Sequence, residues 1–186
     1  MDNPLSGVQW LLTRKGRDGS PGDLLRRLGR GEIELTHEAF HDLQHWQSAA
    51  YLRELLMACG VLPAIDKQVW LFERWLRGHL AGIADDGHAQ VIRRFATWGV
   101  LPRLRTRADR KPLTTGGRRY AGEQVKAATD FLQWLSERNL ELPSCRQAGI
   151  DAWHAESREH ARMAVRAFLQ WCMASKLTCG LRLPLP

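Results

Sequence analysis

Apolar residues along this chain recur at helical spacing, interrupted by short breaks. Asn3-Pro4 and Ser20-Pro21 each set a capping residue ahead of a proline suited to the first helical position. Thr36, with Glu38 in the following turn, reads as a further helix start, where negative charge suits the helix dipole. In AAYLRELLMACG, residues Leu52, Leu55, Leu56 and Cys59 share one face, and Gly60 is placed to end the helix. Pro63 then breaks the chain. From Asp66 the stripe resumes through Val69, Phe72, Leu76 and Leu80, with Trp75 alongside. Asp85-Asp86 opens a helix carrying Val91, Ile92, Phe95 and Trp98.

The stretch from Pro102 to Gly117 is basic and less patterned. A long helix is predicted from about Arg118 to Asn139. Ser144 and Gln147 have capping-box spacing before a short helix with Ile150 and Trp153. Ser157 is the expected cap of a last helix reaching about Lys176. No segment shows the period-two alternation of a strand, and neither Asp18-Gly19 nor Asp86-Gly87 lies between apolar runs of strand type. The predicted class is all-α, a multi-helix bundle.

An F-x-x-W spacing recurs at Phe72/Trp75, Phe95/Trp98, Phe131/Trp134 and Phe168/Trp171. Residues three apart lie on one helical face, so each pair is expected to fill the core. The interval between pairs is irregular, which argues against a solenoid.

With 186 residues, 44% apolar and 25% charged, the chain is expected to fold around a packed core. Its acidic second residue and short apolar run do not fit a signal peptide, and no apolar stretch approaches the roughly 18 residues that span a bilayer. The expected setting is cytoplasmic, without a membrane partner. The four cysteines form no C-x-x-C pair and are expected to be reduced, most of them as small core residues.

Charge changes the picture more. Between Arg93 and Lys126 stand ten basic residues, eight of them arginines, against Asp109 and Glu123. That segment carries net +8 in a chain whose total is +7, so the remainder is close to neutral. A single-sign stretch is the footprint of a polyanion site, and guanidinium forks suit phosphate oxygens. The candidates are Arg103, Arg105, Arg107, Arg110, Lys111, Arg118, Arg119 and Lys126. The last helix adds Arg158, Arg162 and Arg166, four apart on one face, separate from the apolar stripe of Ala164, Phe168 and Trp171. Ser157 and the first-turn N–H groups are placed to meet a phosphate.

A competing chemistry is spelled by HEAFH at 37–41, which fits the H-E-x-x-H spacing. On a helix, His37 and His41 would face one metal and Glu38 would polarise its water. His45 continues the row but is badly placed to close a tetrahedron. No glycine turns the chain between His41 and His45. A small metallopeptidase is therefore an alternative, and so is a helical protein–protein adaptor. The favoured reading requires no cofactor.

RRYAGEQVKAATDFLQWLSERNLEL, CRQAGIDAWHAES and REHARMAVRAFLQWCMASKLTCGLRLPLP, in that order, resemble the core-binding domain of tyrosine recombinases, the phage-integrase family. The likeness is strongest over about 112–186. More loosely, LLRRLGRGEIELTHEAF, AYLRELLMACGVLP and IRRFATWGVLPRLR resemble the upstream region of actinobacterial integrase-like proteins. The resemblance implies a helical, SAM-like module that clamps double-stranded DNA, with the arginine row of the last helix and Arg118-Arg119 on phosphates. It implies as partners DNA and either a full-length integrase or a second copy. The implied division is 1–62, 63–111 and 112–186. The family's catalytic H-x-x-R box occurs nowhere in this sequence, and Tyr51 and Tyr120 precede or begin the binding domain. No recombinase nucleophile can be assigned, so the chain is expected to bind DNA and not to cut it.

Overall fold

The computed structural model describes residues 19–178 and is all-α, with no strand among them. The chain divides into two compact units, residues 1–65 and 66–186. Asn3-Pro4, Cys179 and the LRLPLP segment lie outside the described residues.

In the first unit, α1 spans Pro21–Gly29. It starts as expected: Pro21 occupies the first turn and the Ser20 hydroxyl accepts from the Asp23 N–H at 3.3 Å. Helix α2 spans Trp46–Ala58. Gly60 ends it in the left-handed region at φ +72°, while the Gly60 and Val61 N–H groups close back on the Met57 and Leu56 carbonyls. Leu52 is fully buried but Cys59 is exposed, so the expected stripe stops one turn early.

The helix expected from Thr36 does not form. Thr36 Oγ1 accepts from the Ala39 N–H at 3.3 Å and the His41 N–H reaches the Glu38 carbonyl at 2.9 Å, and then the turn ends. Within the turn only Phe40 and His41 are buried. A helix needs a recurring apolar face to pack, and this segment offers one turn of it.

In the second unit, α3 spans Lys67–Ala81 and α4 spans Asp86–Phe95. The Asp66 carboxylate caps α3 by accepting from the Gln68 and Val69 N–H groups, and its other oxygen accepts from Leu113 N–H at 2.9 Å. One π-helical turn, Ala96–Val100, joins α4 to α5, Leu101–Arg110, in a continuous rod. Then come α6, Thr115–Glu137, a 3₁₀ turn, Leu142–Ser144, α7, Gln147–Glu156, and α8, Glu159–Ala174.

The stretch from Pro102 to Gly117, read as basic and less patterned, is mostly helix. Leu101, Leu104 and Ala108, spaced three and four apart, turn inward beneath the arginines that dominate the sequence. The π turn reconciles two stripes. Ile92 and Phe95 are buried before it, Ala96, Gly99 and Val100 within it, and Leu101 and Leu104 after it, one residue out of phase. At that turn Trp98 is left 73% exposed, against the expectation that every F-x-x-W pair fills the core.

Two expected caps are absent. Ser144 lies in the 3₁₀ turn with its hydroxyl on the Glu141 carbonyl, and α7 follows Arg146 without a side-chain cap. Arg158, not Ser157, is the N-cap residue of α8; the Ser157 N–H closes α7 on the Trp153 carbonyl.

The core of this unit centres on α6 and α8, its most extensively packed pair. They run parallel, since Glu123 meets His160 and Phe131 meets Phe168 further along both. Phe168 also packs against Phe95 at 5.2 Å between ring centroids, and Phe131 against Trp153 at 5.5 Å. Each fully buried aromatic or aliphatic side chain here contributes about 1.5–3 kcal/mol. Cys145 and Cys172 belong to this core, and burial pushes the Cys172 thiol up to about 12. No helix among the described residues is long and apolar enough to cross a membrane.

Candidate nucleic-acid interface

The fold distributes the basic segment over several helix faces. On α5, Leu101 and Leu104 point inward, so Arg103, Arg107 and Arg110 fall on the outer side. All three are exposed and form no ion pair or side-chain hydrogen bond among the described residues. Lys111, the residue that ends α5, is also exposed. Arg107 and Arg110 occupy the last turn, where positive charge suits the helix dipole.

Arg105 is held differently. Its guanidinium meets the Glu73 carboxylate of α3 at 2.7 Å. Arg118 is half-buried, its Nε–H donating to Gln68 Oε1 at 2.9 Å. Arg119 and Lys126 lie on a face of α6 whose spacing also includes Glu123 and Asp130. There Lys126 pairs with Glu123 at 3.1 Å and stands over the Trp75 ring at 6.0 Å. His160 Nε2 lies 3.3 Å from the same Glu123 carboxylate. This part of the segment is a mixed-sign surface.

The expected row on α8 is uneven. Arg158 and Arg162 are exposed, whereas Arg166 is half-buried and engaged. Arg162 stands close enough to α7 to influence His154. Burial is the main cause that lowers the His154 pKa, and the Arg162 charge adds to it. Ser157 is half-buried and does not cap α8.

Between α5 and α6 the structure opens a groove of about 370 Å³. Arg103, Thr106 and Arg107 line it from α5, and Tyr120 and Gln124 from α6. Val100, Leu104 and Ala121, all nearly inaccessible, form its apolar floor. Gly117 lines the end next to the first turn of α6. Tyr120 is 51% exposed. Sequence reading missed Tyr120 and Gln124 as groove residues. Their signal was the spacing of four that puts both on one face of α6, visible only once α5 is recognised as a helix.

A second pocket, about 500 Å³, is lined by His79, Asp85, His88, Thr129, Asp130 and Gln133, among others. His79 stacks on Trp75 at 5.0 Å. Thr129 Oγ–H donates to the Val125 carbonyl at 3.0 Å, so at 2.9 Å it accepts from His79 Nε2–H. Burial lowers the His79 pKa and raises that of Asp130, each partly opposed by the other's charge. None of these residues was singled out for a site from the sequence.

The histidine row does not assemble. HEAFH lies in a turn, so the helical array that H-E-x-x-H requires is missing. His37 Nε2–H donates to the Pro63 carbonyl at 2.9 Å, His41 is buried, and the His45 ring lies where a Cβ on Gly19 would stand. Among the described residues no group of three or more His, Cys, Asp or Glu is arranged to hold a metal ion.

Comparison with known proteins found no matching family model, no matching curated protein and no matching solved structure.

Proposed function

We propose that the second unit binds double-stranded DNA through phosphate contacts, as the likeness of its sequence to the core-binding region of tyrosine recombinases implies. The observation that carries this reading is the outer side of α5, where Arg103, Arg107 and Arg110 stand exposed with no carboxylate partner among the described residues. A folded surface ordinarily intersperses charges of both signs, as α6 does a short distance along the same chain. Three uncompensated guanidinium groups on one side of a helix favour a polyanion. Lys111, and Arg158 and Arg162 at the start of α8, extend the candidate contacts. Arg105, Arg118 and Lys126 are committed to contacts within the protein and contribute less. The residues present carry no H-x-x-R box, and the reading assigns them binding without strand cleavage. It also keeps an integrase or a second copy as a candidate partner.

The test is fluorescence anisotropy of a labelled duplex of random sequence over a range of salt concentrations. Binding in the micromolar range or tighter, with log K falling linearly against log salt, supports the reading. Absence of binding at low salt refutes it. Trp98 favours a second reading, a docking surface for another protein, because a tryptophan 73% exposed is the kind of side chain that anchors interfaces. That reading predicts that Trp98→Ala abolishes capture of a specific protein partner and leaves DNA affinity unaltered.

A further inference from the structure

The groove between α5 and α6 has features that phosphate contact does not require. Phosphates are met by exposed cations, and Arg110 and Lys111 stand exposed outside the groove. The groove adds an apolar floor, a half-exposed aromatic ring and a side-chain amide. Its volume, about 370 Å³, falls within the roughly 300–1,000 Å³ typical of sites that enclose a small molecule.

Each part limits the ligand. Arg103 and Arg107 at the rim have no ion-pair partner among the described residues, and their guanidinium groups ask for an anion. Val100, Leu104 and Ala121 ask for a body with little hydrogen-bonding need on its faces. Tyr120 presents a ring at the opening, and bases of every kind stack on aromatic rings. Gln124 carries a donor and an acceptor on one planar group, the combination that pairs with a base edge. A nucleotide combines an anionic phosphate, two flat apolar faces and a polar edge. In a continuous duplex both faces are stacked and unavailable.

We propose that this groove takes one unpaired nucleotide, its phosphate between Arg103 and Arg107, its base against Tyr120 and its edge at Gln124. The consequence is a preference for DNA with an extrahelical nucleotide over continuous duplex. This proposal rests on the DNA-binding reading above.

The experiment compares three labelled duplexes of one sequence by anisotropy: continuous, with one unpaired nucleotide, and with an unpaired abasic sugar-phosphate at the same place. The wild-type chain is expected to bind the nucleotide bulge about tenfold more tightly than either of the others, the scale of one base stacked on an aromatic ring. Tyr120→Ala should erase that preference and Tyr120→Phe should keep it. Equal binding of all three duplexes overturns the nucleotide site and leaves the duplex reading standing. An abasic bulge that binds as tightly as the nucleotide bulge also overturns it, since the preference is then for bendable DNA. A preference that survives in a folded Tyr120→Ala variant places the base elsewhere. Failure to bind any of the three overturns the DNA-binding reading itself.

Discussion

Arg103 and Arg107 on α5 and Arg119 and Lys126 on α6 come from one run of basic sequence, but they stand in different electrostatic surroundings. On α5 no carboxylate among the described residues forms an ion pair with the first pair, and a groove opens beside them. On α6 the second pair alternates with Glu123 and Asp130, and Lys126 and His160 both converge on Glu123. Along the chain every basic residue counts equally toward a net charge of +8. In the fold, charge acts through the potential on one face, and a carboxylate at the next helical position cancels most of it. Which arginines are available to a phosphate is decided by what neighbouring helices bring beside them.

The largest expected effect falls on the scaffold that both faces share. Phe131 is fully buried among Phe168, Trp153 and Trp134. Phe131→Ala should reduce stability by about 3–5 kcal/mol, because the surrounding rings close such a cavity only in part. Urea unfolding monitored by tryptophan fluorescence measures it. A loss below about 1 kcal/mol would mean that α6 and α8 do not depend on this packing.

Next in size is the contrast itself. The Arg103→Ala/Arg107→Ala variant should bind duplex DNA about ten- to a hundredfold more weakly at low salt, with a slope of log K against log salt shallower by about 2. Arg119→Ala/Lys126→Ala should change both quantities far less, since Lys126 already has a carboxylate partner. Equal losses from the two double variants would erase the distinction drawn between the faces.

The all-α class and most helices were legible because their stripes are long and regular. Val69, Phe72 and Leu76, or Ile92 and Phe95, follow one period to the end of a helix. Legibility failed where two signals competed. From Leu101 to Arg110 the arginines and the proline masked a stripe made of only Leu101, Leu104 and Ala108. Trp98 was assigned to the core because a constant period was carried through a turn that the chain makes with one extra residue. HEAFH has the spacing of a metal motif, but spacing yields geometry only on a helix, and one buried turn is not enough to hold one. The groove was illegible for another reason: its two walls lie on separate helices, and the spacing that puts Tyr120 and Gln124 on one face of α6 does not show that α5 stands opposite.

A smaller effect tests the α6 side through pH. Burial, the main cause, depresses the His79 pKa below its ordinary 6.5, so the folded protein takes up this proton less readily than the unfolded chain. The stabilising contribution is fully present above that ordinary value and is lost as pH falls from it toward the lower folded value. The raised pKa of Asp130 has the opposite sign, favouring the folded state as the carboxyl protonates. Subtracting a His79→Gln variant isolates the histidine. The wild type should lose more melting temperature than the variant between about pH 8 and about pH 5.5. Parallel curves would show that the bond from His79 to Thr129 does not hold the neutral ring.

The smallest expected change redraws the boundary between the faces. Arg105 lies on the same helix as Arg103 and Arg107 but spends its charge on Glu73 at 2.7 Å. Glu73→Gln removes that negative charge and leaves the guanidinium free to swing toward solvent, where it is already 63% exposed. An exposed pair of this kind contributes only about 0–1 kcal/mol to stability, so the fold should survive. If the DNA path runs across the whole outer side of α5, a fourth arginine joins the contacts. Affinity should then rise a few-fold at low salt, and the salt slope should steepen by about 0.9. If affinity rises without a change in slope, the gain comes from removing the repulsion of Glu73 at long range, and Arg105 stands beside the path. An unchanged affinity confines the phosphate contacts to the groove side of α5, where Arg103 and Arg107 flank Tyr120.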